Sequence, residues 1–301
     1  MLDSVEPRAL ERTINLIAPA KINLALHVTG RRDDGYHLLD SLVVFAHVGD
    51  KVSVKRAMLD SFEVSGPFGR ALPDDETNLV LKARNALRAR FPEKAAPVAI
   101  HLEKHLPIAS GIGGGSSDAA ATLRALTALW SIETNELAAI GLTLGADVPM
   151  CLYGQPLIAR GIGEEIEGID DFPHLPMVLV NSGVATSTPQ VFSALANRDN
   201  RSLPALPRLS TVHDVCLYLG QTDNHLFSVA EKLTPAIGDA MRALRNTDPR
   251  LVRMSGSGGT CFAIYGSDQE AEAAAAALKR AQPHWFVVAT HNGGVDLGPD
   301  R

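Results

Sequence analysis

The stretch 106–130, LPIASGIGGGSSDAAATLRALTALW, constrains this chain more than any other. An apolar, strand-like run, Val98-Ala99-Ile100-His101-Leu102, leads into it, and Gly111, Gly113, Gly114 and Gly115 then crowd together. Glycine accepts positive φ and lets another molecule approach the backbone closely. Ser116-Ser117-Asp118 reads as a helix start, with Leu123, Leu126 and Trp130 at helical spacing beyond it. A glycine-rich turn that feeds a helix N-terminus presents unpaired N–H groups and a partial positive charge at one point. Such a place suits an anion, with phosphate the first candidate. The plain alternative is a linker or ordinary loop, but linkers seldom sit between an apolar strand and a strong helix.

Two familiar phosphate motifs do not fit. A P-loop needs Gly-Lys-Ser/Thr, and the chain has no Gly-Lys pair. A dinucleotide fingerprint needs glycine where Ser116 stands, and no acidic ribose partner is obvious downstream. With 301 residues, two domains are expected. A formal net charge of −6 gives no electrostatic reason to bind nucleic acid or an anionic membrane, so an anionic ligand must be held by local donors. Cys151, Cys216 and Cys261 are widely spaced and form no CxxC pair, which fits a reducing cytoplasm rather than a disulfide or zinc framework. Residues 1–11 carry acidic side chains and no apolar run, so they read as neither signal nor transit peptide, and no run reaches transmembrane length.

In chain order, residues 13–18 read as a strand and residues 19–28 as a half-buried one, with Ile22, Leu24, Leu26 and Val28 inward and Lys21, Asn23 and Ala25 on the opposite face. Asp34-Gly35 marks a hairpin turn, and returning strands are expected over 38–48, 51–54 and 61–64. Residues 78–91 form an amphipathic helix, with Lys82, Arg84, Arg88 and Arg90 placed on its solvated face. Helices are expected over 136–144 and from Asp147, and strands within 155–166. The composition shifts to Gly, Asp and Pro around 168–176. The domain boundary is placed there, giving an N-terminal domain, 1–168, and a C-terminal domain, 169–301. The second part alternates short strands and helices in an α+β pattern, with a polar loop at 198–209 and a second glycine loop at 255–260.

Two side chains stand out chemically. Asp147, before Val148-Pro149, is either a helix N-cap or a base that orients an attacking hydroxyl; the residues alone do not decide. Lys21 is either an ordinary strand lysine or a charge that keeps a nearby carboxylate ionised.

The stretch Pro107, Ile108, Ala109, Ser110, Gly111, Ile112, Gly113, Gly114, Gly115, Ser116, Ser117 resembles the phosphate loop of the galactokinase, homoserine kinase, mevalonate kinase and phosphomevalonate kinase superfamily. Ala109-Ser110 stands where glycine is common in those loops, and Ile112 replaces a leucine. Pro19-Ala20-Lys21-Ile22-Asn23 resembles the superfamily's first motif, and Gly145-Ala146-Asp147-Val148-Pro149 the segment bearing its catalytic aspartate. Arg31-Arg32-Asp33-Asp34-Gly35-Tyr36-His37 and Thr188-Pro189-Gln190-Val191-Phe192 narrow the resemblance to the kinases of 4-diphosphocytidyl-2-C-methyl-D-erythritol.

The resemblance implies an α+β fold in two units, an N-terminal ribosomal-protein-S5-like domain and a C-terminal ferredoxin-like sandwich. It implies ATP held by the loop, Mg²⁺ accompanying it with no convincing carboxylate ligand beyond Ser117 or the phosphates, and Lys21 and Asp147 as the catalytic pair. Asn23, Tyr36, His37, Thr188 and Phe192 are implied to bind the acceptor, with Tyr36 and Phe192 flanking cytosine and His37 reading its edge. Gly256-Ser257-Gly258-Gly259-Thr260 resembles the third motif and is expected to support the phosphate loop, the alternative being a simple strand-linking turn. The competing readings are another kinase or a diphosphomevalonate decarboxylase on the same fold, or a non-catalytic nucleotide- or RNA-binding module.

Overall fold

The computed structural model describes residues 12–293, so the reading of the first eleven residues lies outside the described part. Strands β1 (Thr13–Arg31), β2 (His37–Arg56), β3 (Ser61–Ser65), β4 (Val98–Glu103), β5 (Leu157–Gly161) and β6 (Glu165–Gly168) make the first sheet. Its order is β3-β4-β2-β5-β6, with β1 paired to β2 over its length. One face is covered by α1 (Leu79–Arg90), α2 (Gly114–Trp130), α3 (Leu137–Leu144) and α4 (Val148–Tyr153), around a core that includes Val43, Phe45, Ile100, Leu123 and Leu126.

The second sheet is built from β7 (Pro176–Asn181), β8 (Leu251–Met254), β9 (Thr260–Ile264) and β10 (Phe286–His291), all antiparallel in the order β10-β7-β9-β8. That is the strand order of a split βαβ, ferredoxin-like unit. Helices α5 (Thr188–Ala194), α6 (Val212–Leu219), α7 (Phe227–Leu233), α8 (Ala236–Arg245) and α9 (Asp268–Ala281) complete this half. A third apolar cluster joins Ile22, Leu24, Leu42 and Val44 of the first sheet to Leu179, Phe262 and Ile264 of the second. Arg253 of β8 adds a polar tie, its guanidinium donating to the carbonyls of Leu24, Leu219 and Thr222 at 2.8–2.9 Å. The two-unit α+β architecture expected from the motifs is therefore present, and no helix of the described residues is long and apolar enough to cross a membrane.

Several local expectations are corrected. The strand pairs read at 13–18 with 19–28, and at 38–48 with 51–54, are the continuous β1 and β2. From Ala18 to Val28 every residue of β1 is buried, because helices cover one face and the second unit the other; the strand is not half-buried. Register shifts at Pro19/Lys21, Asn23/Ala25 and Val28/Gly30 also break the simple alternation. Arg84 is buried rather than solvated, because Glu76 at 2.9 Å and Asp60 at 3.8 Å supply counter-charges from outside its helix. Helix α6 was not expected, although its Thr211/Asp214 capping box was readable in the sequence. Helix α2 begins at Gly114, not at the Ser-Ser-Asp triplet; Gly113 is its N-cap at φ +65, and the triplet lies inside the first turns.

Candidate active site

The glycine loop is shaped by backbone angles that few side chains tolerate. Gly111 and Gly113 sit at φ +74 and +65, and Ala109, where the superfamily loop favours glycine, takes φ +49. The loop's neighbours explain why Gly111 has no side chain. A Cβ there would stand 2.6 Å from the carbonyl oxygens of Gly258 and Ser255, both in the second glycine loop. That second loop carries Gly256, Gly258 and Gly259 at φ +54, +104 and +93. The two loops are stitched by Thr260 N–H to the Ser110 carbonyl at 2.9 Å and by Ser255 Oγ to the Gly111 carbonyl at 3.1 Å. Ser255 Oγ also accepts the Asn23 N–H at 3.1 Å, which brings β1 into the same junction. The second loop is therefore support for the first and more than a strand-linking turn.

At the mouth of α2 the N–H groups of Gly114, Gly115 and Ser116 have no acceptor one turn earlier in the helix. A Cβ on Gly113 would lie 3.1 Å from Lys21 Cε, and one on Gly114 3.1 Å from Lys104 Nζ. The three glycines leave a cradle whose unpaired N–H groups suit phosphates, with the ion-paired ammonium groups of Lys21 and Lys104 at its border. Pro107, Ile108, Ala109, Ser110, Gly111, Gly113, Gly114, Gly115 and Ser116 line a cleft of about 970 Å³. Ile112 and Ser117 do not. Ile112 is fully buried and its carbonyl accepts the Lys21 N–H at 2.9 Å, whereas Ser117 Oγ donates to the Pro19 carbonyl at 2.7 Å. Both shape the loop from behind.

Asp147 occupies the N-cap position of α4, yet its side chain makes no capping hydrogen bond. Its Oδ2 accepts from Lys21 Nζ at 2.7 Å, across 126 positions of sequence. Lys21 is nearly buried while Asp147 keeps about a third of its side chain open to the cleft, with 6% and 37% exposure. The carboxylate is thus held by the ammonium and presented to whatever enters. Beside it, Asn23 is buried, its Nδ2 donates to Ser41 Oγ at 2.8 Å, and its Oδ1 has no partner. An unpartnered buried acceptor on the cleft wall is suited to a ligand hydroxyl or amine.

In the same cleft, the rings of His37 and Phe192 lie 4.9 Å apart, tilted by 33°. His37 Nε2 is buried without a partner, and burial, then Arg198 and Arg31, hold this imidazole below its ordinary pKa. Tyr36 also lines the cleft but is largely exposed, so the ring contact present is His37–Phe192 rather than one made by Tyr36. Thr188 Oγ1 is hydrogen-bonded to Ser257 Oγ at 2.6 Å, fastening α5 to the second glycine loop.

Lys104 was missed by the sequence reading. Its Nζ lies 2.5 Å from Asp50 Oδ2 and 2.6 Å from Asp118 Oδ2, under the cradle. Asp50 Oδ1 also accepts the N–H groups of His105 and Leu106, the two residues just ahead of the loop, at 2.6 and 2.7 Å. Burial pushes the Asp118 carboxyl up to about 8 despite Lys104, because one ammonium cannot neutralise two buried carboxylates. The only hint in the sequence was a lysine set between the apolar Leu102 and Leu106 just ahead of the loop.

A phosphate cradle, a lysine-held carboxylate beside it and an aromatic slot in the same cleft are the equipment of a small-molecule phosphotransferase. Comparison with known proteins narrows this. Residues 78–155 match the family described as GHMP kinases N terminal domain, and residues 193–284 match GHMP kinases C terminal. A 4-diphosphocytidyl-2-C-methyl-D-erythritol kinase of Brucella melitensis is 54% identical over 93% of this chain and 95% of its own length. That of a Chelativorans strain is 53% identical over 92% and 95%. A crystal structure of 4-(cytidine 5'-diphospho)-2C-methyl-D-erythritol kinase superposes with a TM-score of 0.79 at 34% identity, covering 93% of this chain and all of that one. Homoserine kinase from Cytophaga hutchinsonii shares the fold, with a TM-score of 0.67 at 18% identity over 99% of each chain. The chain belongs to the 4-diphosphocytidyl-2-C-methyl-D-erythritol kinase family of the GHMP kinases, and is a kinase with ATP as phosphate donor.

Proposed function

We propose that this kinase transfers the γ-phosphate of ATP to the 2-hydroxyl of 4-diphosphocytidyl-2-C-methyl-D-erythritol, as a cytoplasmic step in isoprenoid precursor synthesis. The observation that carries the reading is the Lys21–Asp147 pair, 2.7 Å apart, in one cleft with the glycine cradle and the His37–Phe192 rings. Asp147 takes the proton of the acceptor hydroxyl as its oxygen bonds to the γ-phosphorus, and the bond to the bridging oxygen of ADP breaks. Lys21 holds the carboxylate in place and offsets the charge that develops on the attacking oxygen. Asn23 accepts from the acceptor, while His37, neutral because its pKa is lowered, offers one donor and one acceptor to the cytosine edge.

In this reading Phe192 supplies stacking area, with Tyr36 closing over the base from its exposed position, and Thr188 holds the wall behind them. Residues 1–168 act as the ATP-binding and catalytic unit, and residues 169–301 complete the acceptor site. Mg²⁺ enters with the nucleotide. The described residues contain no group of three His, Cys, Asp or Glu side chains suited to a metal ion, and the Ser117 hydroxyl is buried and committed to Pro19. The described residues therefore offer no dedicated cage, and an ion bound there would rest mainly on the phosphates of the nucleotide.

The test is ATP turnover with a panel of acceptors: the cytidylated methylerythritol, its uridine counterpart, mevalonate and homoserine. ADP release should require the cytidylated compound. Equal turnover with mevalonate or homoserine would move the protein to another branch of the same fold.

A further inference from the structure

The polar loop after α5 has no place in the catalytic reading, yet it delivers a charge to the cleft. Three contacts pin it to the first sheet: Asn200 Nδ2 donates to the Val28 carbonyl at 2.8 Å, the Leu203 N–H to Asp40 Oδ2 at 2.9 Å, and His27 Nδ1 to the Arg201 carbonyl at 2.9 Å. The role of His27 follows from its other nitrogen, which accepts the Asp223 N–H at 3.2 Å and leaves Nδ1 as the protonated one. So anchored, the loop sends Arg198 into the cleft beside Phe192. Its Nη2 donates to the Ser193 carbonyl at 3.2 Å, and its Nε is buried with no partner. Arg31 at the end of β1 also lines the cleft, its Nε donating to the Gly35 carbonyl at 3.2 Å.

The charges in the cleft can be counted by their partners. Asp147 is neutralised by Lys21, Asp34 pairs with Arg32 at 2.9 Å, and Lys104 is held by its two carboxylates. Among the described residues, neither Arg31 nor Arg198 has a carboxylate within ion-pairing distance. Two guanidinium charges are left over in the cleft that holds the His37–Phe192 ring pair. Their effect already reaches His37, whose pKa both arginines help to lower.

We propose that Arg31 and Arg198 form a clamp for a diphosphate, the doubly anionic bridge of a nucleoside diphosphate ester whose base occupies the His37–Phe192 slot. This rests on the acceptor assignment above and adds to it the residues that recognise the linker between base and reacting alcohol. Two unpaired guanidinium groups match the two negative charges of a diphosphate diester, and the planar donor fork of arginine suits phosphate oxygens better than an ammonium does. Unlike the cradle at α2, this clamp reads the acceptor and leaves ATP alone.

The test is calorimetric titration of the full chain with cytidine and with CDP, for wild type, Arg198→Gln, Arg31→Gln and Arg198→Lys, with ATP-analogue affinity measured in parallel. Wild type should bind CDP more tightly than cytidine. Each glutamine variant should lose roughly tenfold to a hundredfold in CDP affinity while cytidine and the ATP analogue are unchanged, since a charge-assisted hydrogen bond is lost. Arg198→Lys should recover part of the loss. If the variants keep the full preference for CDP, or weaken cytidine equally, the clamp is overturned while the acceptor assignment stands. If wild type binds neither cytidine nor CDP, the acceptor assignment itself is wrong and the clamp falls with it.

Discussion

Gly111→Ala puts the junction of the two glycine loops to a quantitative test. At φ +74 an alanine costs about 1–2 kcal/mol for the left-handed backbone alone. The new Cβ would also stand 2.6 Å from two carbonyl oxygens and 2.9 Å from the Gly258 nitrogen, and backbone atoms cannot rotate away as a side chain would. Overpacking of this kind adds about 1–3 kcal/mol, for a total of roughly 2–5 kcal/mol. Gly183 is the built-in control: its φ is +83, but a Cβ there meets nothing within 4 Å, so Gly183→Ala should cost only about 1–2 kcal/mol. Urea titration followed by tryptophan fluorescence gives both values, and an ATP-analogue titration should show weakened binding for Gly111→Ala only. Equal destabilisation by the two substitutions, with nucleotide affinity intact in both, would refute the claim that the second loop braces the first.

Asp147→Asn and Lys21→Met should each lower kcat by about 10²–10⁴-fold with ATP-analogue affinity kept, and the double variant should lose far less than the product, because the two side chains act as one unit. In the buried cluster, Asp50→Ala should cost about 3–5 kcal/mol in urea, since it strands the N–H groups of His105 and Leu106 and leaves Lys104 one carboxylate. Asp118→Asn should cost about 1 kcal/mol or less near neutral pH. Its carboxyl titrates at about 8 when folded against 3.8 unfolded, so what it adds to stability falls as pH rises between those values, and the variant should gain on wild type over that range. A reversed order would mean that Asp118, not Asp50, carries the charge that holds Lys104. Because the pKa of His37 lies below its ordinary value, cytidine affinity should hold around neutral pH and fall in acid solution, where protonation removes the ring acceptor; His37→Ala should abolish that acid limb.

What the sequence revealed and what it hid divide along local and non-local lines. The glycine loop, the Asp-Gly turn and the Pro-Ala-Lys and Gly-Ala-Asp segments are contiguous, and the residues they nominated, Ile112 and Ser117 excepted, line one cleft. The Lys104 cluster was unreadable, because positions 50, 104 and 118 meet only once β2 and β4 pair and α2 docks against them. Arg84 looked solvated for the same reason: Asp60 and Glu76 come from outside its helix. The start of α2 was misplaced because Gly114 and Gly115 are poor helix formers, held helical there by packing against β1 and α1 rather than by propensity. The fully buried stretch of β1 was read as half-buried, since a single strand's alternation does not announce a second unit packed on its other face. The ambiguity of Asp147 ended differently. It holds the N-cap position, but its side chain is turned to Lys21 and away from the helix.

Phosphorus NMR of the products formed from ATP and 4-diphosphocytidyl-2-C-methyl-D-erythritol tests the central claim most directly. The account predicts one new phosphomonoester, on the 2-hydroxyl, formed in step with ADP and lost in Asp147→Asn. ADP and inorganic phosphate without that ester, or an ester at another hydroxyl, would contradict it.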